Sequence, residues 1–392
     1  MKLIKAIGKV FLFILVFIII ALVLQYVVNP KYDFPEPEPF HGDRIYNPYQ
    51  GIDSTKWEKG NFHVHTRAYY GVTNGKINSN KFLDSLYRYF GYSIIGISDY
   101  QKINRYESRN NWFVPEYEHG YTYYKTHQLV LNASKVSWLD YIFYQTLNNK
   151  QFIINQLKKD PNVVLTIPHP FLRQAYTNEE FRRLSNYNCL EICNNERVAT
   201  VFYDVILSAG RPVFLMADDD AHNLTKINEG IHSFNLINTD LMKDSILKAI
   251  KTGRVIGVNF NISTFKTNEE KKTALEKLPG ILFLTLVKDT ILVRLSKVVK
   301  SIKFIGQNGV EMKRTTNSSE GSYSFKKEDT YIRTEIECND GTIYYLNPFF
   351  RYDGKQLTYY TPVYNFVKTW TWRLLTIIVL LSMIFIIRKA KK

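Results

Sequence analysis

Two histidines separated by one residue, His63 and His65, are the first candidate metal ligands of this chain. They lie in the segment Asn61-Phe-His-Val-His-Thr66. In an extended strand, residues two apart point to the same side, so both imidazoles can face one point while Phe62 and Val64 pack behind them. This arrangement suits a metal ion, although two ordinary histidines give the same pattern. The other polar patches of the sequence decide between the two interpretations.

Further His, Asp and Glu residues stand in or next to short apolar runs along the chain. They are Asp99, Glu118, His127, His169, Glu191, Asp220 and His222. A single residue of this kind is more often structural, but each of these must leave water and find a partner if the run beside it is a buried strand. Mixed imidazole and carboxylate ligands suit Zn²⁺, Mn²⁺ or Fe²⁺. The pattern therefore predicts a multinuclear metal site and leaves the metal open among these three.

The segment from about Lys59 to Phe260 alternates between strand-like and helix-like patterns. Strands are predicted at 62–66, 92–98, 128–131, 163–167, 189–193, 212–217, 233–237 and 255–258, and helices at 81–90, 141–159, 178–184, 200–209 and 241–252. This alternation is typical of a parallel α/β barrel or of an open doubly wound sheet. In a parallel barrel, reactive groups gather at the carboxyl ends of the strands, which is where the polar patches fall.

The order of these patches resembles the signature of the polymerase and histidinol phosphatase (PHP) family. That signature runs Asp-x-His-x-His-Thr, Thr-Asp-His, Gly-x-Glu, a later His, Ala-His-Pro and Ser-Asp-Ala-His, and the chain has counterparts in this order between about Gly60 and Phe260. The resemblance implies a distorted (β/α)7 TIM-like barrel and metal-dependent phosphoester hydrolysis. The segments Tyr331-Ile-Arg-Thr-Glu-Ile and Asn347-Pro-Phe also look like the β module appended to some membrane-attached members.

The resemblance also implies roles for single residues. The implied metal ligands are His63, His65, Glu118, His127, His169 and Asp220. Glu118 would bridge two ions, with His127 and His169 holding the second. Two ions roughly 3.5 to 4 Å apart bind phosphoryl oxygens and lower the pKa of a bridging water, which then attacks as hydroxide.

The chain departs from the signature at the third metal position of the family. Asn61 replaces the first acid, Tyr100 replaces the histidine of Thr-Asp-His, and Gly71 and Asn74 stand where a further ligand is expected. We therefore expect two metal ions rather than three, and we expect His222 to contact phosphate or to donate a proton to the leaving group. Tyr100 is either an alternative proton donor or a packed side chain.

Asp99 and Arg173 join His222 as candidate catalytic residues. Asp99 is the acid at the Thr-Asp-His position. The guanidinium fork of Arg173 fits the oxygens of a phosphate, as do those of Arg67 and Arg197. The alternative for all three arginines is a surface ion pair.

Both ends of the chain carry apolar runs. Residues 10–28 and 369–387 are each long enough to cross a hydrocarbon core of roughly 30 Å as a helix, and basic residues lie outside them in tails 1–9 and 388–392. A cleaved signal peptide is the alternative for the first run, although no small-x-small cleavage site follows it. Because basic flanks tend to stay in the cytoplasm, we expect both termini there and the chain between the two runs in the periplasm or outside the cell.

Three further regions follow from composition and spacing. The prolines of segment 29–59 favour an extended, semi-rigid linker. Residues 60–260 form the PHP-like hydrolase domain by the resemblance described above. Closely spaced strand patterns in 281–350 predict a small all-β sandwich after it.

The cysteine content bears on whether the fold depends on disulfides, and the net charge bears on which partners the chain attracts. The chain has three cysteines, too few for a disulfide scaffold, and Cys189 and Cys193 are expected to be buried thiols. The formal net charge of +15 would attract the chain to an anionic bilayer. A nucleic-acid partner is the weaker interpretation, because solvated lysines explain the same excess.

We expect a membrane-anchored, extracytoplasmic phosphoesterase that uses two divalent ions to hydrolyse a phosphorylated substrate. The alternative is a degenerate PHP-fold binding or assembly module that keeps metal for structure. A third reading is hydrolysis of a non-phosphate bond by the same metals, since activated water also attacks amides and esters. The sequence identifies neither the substrate nor the oligomeric state.

Overall fold

The computed structural model describes residues 2–73, 75–194, 197–263, 265–355, 357 and 361–390. The helices are α1 (Lys2–Val28), α2 (Asn80–Tyr89), α3 (Leu147–Leu157), α4 (Asn178–Arg183), α5 (Thr200–Ser208), α6 (Lys243–Lys251), α7 (Asn268–Glu276) and α8 (Phe366–Ala390). The strands are β1 (Tyr32–Asp33), β2 (Arg44–Tyr46), β3 (Trp57–Asn61), β4 (Ile94–Ile95), β5 (Glu116–His119), β6 (Gln128–Leu131), β7 (Val164–Ile167), β8 (Cys189–Asn194), β9 (Arg197–Val198), β10 (Phe214–Ala217), β11 (Ser233–Asn238), β12 (Val255–Asn259), β13 (Ile281–Val287), β14 (Thr290–Ile305), β15 (Glu311–Ser324), β16 (Tyr331–Glu337), β17 (Ile343–Tyr352) and β18 (Val363–Tyr364). The chain is therefore a mixed α/β protein, as predicted.

Helix ends follow the capping residues of the sequence. A capping box starts α4: the Thr177 side chain accepts a hydrogen bond from the Glu180 amide, and the Glu180 carboxylate accepts one in return from the amide of Thr177. Thr146 and Asn149 form a second such box at the start of α3. This box explains why the helix predicted from residue 141 begins only at Leu147.

The strands form two large sheets and one small one. One sheet has six strands in the order β10-β8-β7-β6-β5, with β9 on the edge of β8. The other has ten strands in the order β13-β14-β16-β17-β12-β11-β3-β4, with β15 on β14 and β2 on β17. Strands β1 and β18 form the third sheet. Pairs β3–β4, β7–β8 and β8–β10 are parallel, whereas the other pairs are antiparallel.

The described strands do not close into the predicted TIM-like barrel. Between the two large sheets, single bridges join Tyr100 to Glu118 and Val64 to Ala221 in place of ladders. Strand β4 has only two residues, and β3 ends at Asn61, before the histidine pair. These short strands leave too few backbone pairs for a continuous ring of hydrogen bonds.

The two large sheets nevertheless pack tightly against one another at Gly257 of β12. A Cβ atom at this position would lie 3.0 Å from the Cβ of Ala217 and 3.0 Å from Cδ1 of Leu215, both on β10. Glycine therefore permits the close approach of β12 to β10. This contact holds the carboxyl-terminal end of β10 against the ten-stranded sheet. Asp220 lies in the loop that follows this end.

The predicted C-terminal sandwich is not a separate sheet. Strand β17 pairs antiparallel with β12, so β13 to β17 continue the ten-stranded sheet. Arg333 on β16 also forms a buried two-point ion pair with Asp204 on α5, at 2.6 and 2.7 Å. The C-terminal strands are thus built into the domain that carries the polar patches.

Within the described part of the chain, two helices, one near each end, are long and apolar enough to cross a membrane, over Ala6–Val28 and Phe366–Ile386. This finding agrees with the predicted spans by length and composition. The two helices meet where they enter the rest of the chain: the Lys31 amide donates to Thr369 Oγ1 at 2.9 Å, and β1 pairs with β18. Lys391 and Lys392 of the predicted basic tail lie outside the described residues.

The segment predicted as a spacer packs against the domain instead. Phe40 stacks on Phe350 with ring centroids 4.4 Å apart. The Tyr49 side chain is fully buried, and its hydroxyl donates to the Val255 carbonyl at 3.1 Å and accepts from the Asn347 amide at 2.7 Å. Aromatic residues of this segment are therefore buried against the ten-stranded sheet.

Candidate metal centre

The histidine pair follows β3 in an extended segment held on both sides by backbone hydrogen bonds. The His65 amide donates to the Ala221 carbonyl at 3.1 Å, and the Ser98 amide donates to the Val64 carbonyl at 3.0 Å. The strand predicted at 62–66 is thus replaced by an irregular extended segment. His63 and His65 still turn their rings to one side, as the spacing predicted, and both are fully buried.

Two carboxylates meet the Nε2 atoms of this pair. Glu118 lies on β5, and Asp220 lies in the loop after β10. His63 Nε2 is 3.7 Å from Glu118 Oε2 and 3.2 Å from Asp220 Oδ1. His65 Nε2 is 3.2 Å from Glu118 Oε2 and 3.3 Å from Asp220 Oδ1. Each carboxylate oxygen therefore lies within 3.7 Å of both Nε2 atoms, and His63, His65 and Glu118 form one group with ligand-like spacing.

These four atoms fit a divalent transition metal. All four are buried and without a hydrogen-bond partner in the described part of the chain, which is costly unless another group satisfies them. Ligands placed 2.0 to 2.2 Å from a tetrahedral ion are about 3.3 to 3.6 Å apart. The measured separations of 3.2 to 3.7 Å match that spacing. The donor set of nitrogen and carboxylate oxygen suits Zn²⁺, Mn²⁺ or Fe²⁺.

Glu118 also faces a second histidine pair with its other oxygen. Its Oε1 atom is 2.5 Å from Nδ1 of His127 and 3.0 Å from Nε2 of His169. Glu118, His127 and His169 form a group whose ligand atoms all lie within 4.8 Å of one another. The six predicted ligands are therefore brought together, with Glu118 between the two sets.

Burial and charge set the protonation of these ligands. Burial lowers the pKa of His127 to about 4 in spite of Glu118, so its ring is neutral at pH 7, as a metal ligand must be. Burial raises the pKa of Glu118, but His127 and His63 outweigh this effect and hold it well below its usual value. Burial lowers the pKa of His63, but Asp220, Glu191 and Glu118 hold it well above 6.5. The centre is thus a buried set of ionised carboxylates whose charge attracts cations, protons included.

Glu191 holds His63 and the backbone of His169 in place through hydrogen bonds. Its Oε1 atom lies 2.8 Å from Nδ1 of His63, and its Oε2 atom accepts hydrogen bonds from the His169 amide at 2.8 Å and from Asn194 at 3.1 Å. A carboxylate on the far nitrogen of a ligating histidine fixes which nitrogen faces the metal. The sequence marked Glu191 as one of the polar patches but gave it no role.

Asn61, which stands where the PHP signature has its first acid, forms hydrogen bonds with the backbone. Its Oδ1 atom accepts from the His63 amide at 2.9 Å, and its Nδ2 atom donates to the Ser233 carbonyl at 3.2 Å. Asp218 accepts from the neighbouring Phe62 amide at 2.7 Å. Both side chains therefore fix the histidine segment rather than extend the ligand set.

His222 lies at the edge of the centre and is partly open to solvent. Its Nε2 atom is 3.3 Å from Asp220 Oδ1, and its ring stacks on His65 with centroids 4.4 Å apart. His65, Asp220 and His222 form a further group with ligand-like spacing. Gly71 lies at the end of a 3₁₀ turn, and Asn74 lies outside the described residues. His222 therefore lies next to the centre and shares His65 and Asp220 with it.

Tyr100 also stacks on the His65 ring. The two rings stack with centroids 4.5 Å apart, and Lys125 Nζ lies 5.2 Å from the centroid of Tyr100 on the cavity side. Burial, with help from Glu118 and Asp220, raises the pKa of Tyr100 well above 10. The phenol is thus protonated at neutral pH and is both packed and able to donate a proton.

Asp99 and Arg173 are not among the converging ligand atoms. The Asp99 carboxylate accepts from the Thr66 amide at 2.7 Å and from Asn104 at 3.0 Å, so it holds the end of the histidine segment. The Arg173 guanidinium donates to the Tyr123 carbonyl at 2.9 Å and lies 4.7 Å from the centroid of that ring. Asp99 therefore positions the site, and Arg173 is engaged with the loop at Tyr123.

A cavity of about 820 Å³ adjoins the centre. Its walls include Tyr100 and His127 from the centre, Lys125 beside Tyr100, and the aromatic residues Tyr121 and Trp138. The cavity therefore gives a substrate room next to the ligand set.

Comparison of the chain with protein-family models, with curated proteins and with solved structures finds no match.

Proposed function

We propose that the chain is a membrane-anchored, metal-dependent phosphoesterase of the PHP type, with a sheet arrangement that leaves the family's barrel open. The observation that carries this proposal is that four buried atoms without hydrogen-bond partners among the described residues lie within 3.2 to 3.7 Å across each nitrogen–oxygen pair, while the second oxygen of Glu118 faces another histidine pair. One carboxylate between two such sets is the arrangement a two-metal site needs.

Different residues would bind the metal ions and donate the proton during hydrolysis. His63, His65, Glu118 and Asp220 would hold one divalent ion, and Glu118, His127 and His169 a second. Ions bound there would polarise the phosphoryl oxygens and lower the pKa of bound water. His222, at the solvent edge beside His65, donates a proton to the leaving alcohol, and Tyr100, which lines the cavity, is the second donor.

The topology proposed from the sequence completes this function. Basic residues outside both spans would keep the two termini in the cytoplasm and place the metal centre on the other side of the membrane, in the periplasm or outside the cell. A phosphorylated molecule of that compartment is the substrate class.

A binding or assembly module is the second candidate function. It is favoured by Asn61 and Tyr100, which stand where the family signature has an acid and a histidine. In that case the same ligands would hold metal for structure alone, and the preparation would bind metal without turning over a phosphoester.

A panel of phosphoesters tested with two histidine variants separates the candidates. His63→Ala should lose metal and activity together. His222→Ala should keep the metal and lose roughly 10²-fold in turnover, the usual scale for a missing general acid. The exposed His41, which contacts the Pro39 carbonyl, supplies the matched control, and His41→Ala should change neither quantity. Activity that survives both His63→Ala and His222→Ala does not belong to this site.

A further inference from the structure

An aromatic loop, residues 138–144, is tied to the last turn of the first apolar helix. The Gln25 side chain donates to the Asp140 carbonyl, and the Phe143 amide donates to the Tyr26 hydroxyl at 3.0 Å. Just beyond the helix, the Tyr141 hydroxyl donates to Asn29 Oδ1 at 2.5 Å. The loop therefore lies at the level where the candidate span ends.

The same loop exposes large apolar side chains. Trp138 is 61% exposed and Phe143 is 58% exposed, and Ile142 and Tyr144 are exposed beside them. Single exposed apolar residues are common, but four within seven residues form a patch that calls for a partner. Tryptophan and tyrosine are enriched where a membrane meets water, and the helix end that holds this loop fixes it in that zone.

The second apolar helix carries tryptophans at the same level. Lys31, just after α1, lies 5.0 Å from the ring centroid of Trp372, and Arg373 of α8 donates to the Val28 carbonyl. Trp370 and Trp372 are therefore beside the end of α1, as the loop is. The aromatic residues of two distant parts of the sequence share one layer.

The loop is also joined to the cavity beside the metal centre. The Tyr123 amide donates to the Ile142 carbonyl at 3.2 Å, and the Tyr121 hydroxyl donates to the Trp138 carbonyl at 3.2 Å. Trp138 lines the cavity together with Tyr100 and His127 of the metal centre. A molecule in this cavity can therefore contact both the loop and the ligand set.

We infer that residues 138–144 lie in the headgroup layer of the membrane and that the cavity takes the phosphate monoester of a membrane lipid. This inference rests on the proposed function and adds its substrate class. The aromatic side chains of the cavity, Trp138 among them, fit the apolar part of an amphiphile, and Lys125 attracts the anionic headgroup. Hydrolysis forms a bond from water oxygen to phosphorus and breaks the bond from phosphorus to the lipid oxygen. His222 protonates that oxygen, so the products are a lipid alcohol and inorganic phosphate.

The depth of the loop can be measured in the full chain. Phe143→Cys, labelled with a fluorophore and reconstituted in phosphatidylcholine vesicles, should be quenched by lipids brominated on their acyl chains. Val298→Cys is the comparison, since Val298 is an exposed residue of β14 in the C-terminal strands, and it should not be quenched. An unquenched label at position 143 overturns the membrane contact.

Turnover with two probes tests the substrate class. The double variant Ile142→Ser/Phe143→Ser should lose about tenfold or more on phosphatidic acid in vesicles, because two apolar side chains no longer enter the membrane. Its rate on soluble p-nitrophenyl phosphate should equal that of the wild type, which also shows that it is folded.

The outcomes separate the inference from the function on which it rests. Wild-type turnover of the soluble ester without turnover of phosphatidic acid overturns the lipid substrate and leaves the phosphoesterase standing. Equal losses on both probes in the double variant also overturn the inference. Failure of a metal-loaded preparation to turn over either probe overturns the phosphoesterase and its lipid substrate together.

Discussion

Glu191 Oε1 lies 2.8 Å from Nδ1 of His63, while Nε2 of the same ring faces Glu118 and Asp220. The carboxylate thereby settles which nitrogen is available to a metal ion. Both side chains are fully buried, so no water competes for this contact. Glu191 is a positioning residue and reaches the centre only through His63 and the His169 amide.

Replacing Glu191 by Gln should weaken metal binding without unfolding the chain. The amide keeps the shape of the side chain but lacks the charge that orients the imidazole, and loss of such a partner usually costs 10- to 100-fold in metal affinity. Titration against a competing chelator measures the change. Glu179→Gln, at an exposed glutamate of α4, is the control. Equal metal affinity in the Glu191 variant and the control would remove this role.

Removing Arg333 should destabilise the whole domain. Its guanidinium makes a two-point contact with Asp204 and is almost fully buried, so Arg333→Met leaves a carboxylate with its partner gone. The expected loss is about 3 to 5 kcal/mol in the free energy of unfolding. Arg294→Met breaks the pair with Glu320, in which both side chains are more than half exposed, and should cost less than about 1 kcal/mol. Chemical denaturation in detergent compares the two variants, and equal losses would contradict the packing of β16 on α5.

The three cysteines should resist alkylation in the folded chain. All are buried free thiols, as the sequence predicted for Cys189 and Cys193. Burial raises the pKa of Cys189 to about 12 from 9.0, which lowers its thiolate fraction at pH 8 about a thousandfold. Iodoacetamide at pH 8 should label the three thiols only after denaturant is added. Rapid labelling of the folded chain would show that these strands open.

The same shift sets the sign of a pH effect on stability. The folded pKa of Cys189 lies above its unfolded value, so the unfolded chain loses its proton first. The buried Cys189 thiol therefore makes its full contribution to the free energy of unfolding below pH 9. This contribution is lost as the pH rises from 9 towards 12.

Protease treatment of intact cells tests the proposed topology. If the basic tails remain in the cytoplasm, the region from 60 to 360 is accessible from outside, or from the periplasm once the outer barrier is opened. A cytoplasmic marker protein must stay intact in the same sample. Protection of this region alongside the marker would place the metal centre in the cytoplasm and would remove an extracytoplasmic substrate.

The candidate ligands could be predicted because their residue types are typical of metal sites and because they stand next to strand-like apolar runs. His127 and His169 stand next to apolar runs that became β6 and β7, so their positions followed from the strand pattern. The closed barrel was not predictable, because closure depends on how many backbone pairs the short strand β4 and the end of β3 can make. That number is decided by packing between distant parts of the chain.

The roles of supporting residues were also beyond the sequence. Glu191 sits mid-strand among buried neighbours, and only the fold brings it to the far side of His63. Asp99 has the residue type of a catalytic acid, but its carboxylate accepts hydrogen bonds from the Thr66 amide and the Asn104 side chain. Sequence spacing identifies which groups reach one end of the strands but not what each one contacts there.

The metal content of the purified full-length chain, measured by elemental analysis in the wild type and in Glu118→Gln, tests the central claim most directly. Glu118 offers one oxygen to His63 and His65 and the other to His127 and His169. We predict about two transition-metal ions per wild-type chain, the number held by a bridged site, and loss of both ions in the variant. A wild-type chain without bound metal, or a Glu118→Gln variant with the metal content of the wild type, would contradict the account.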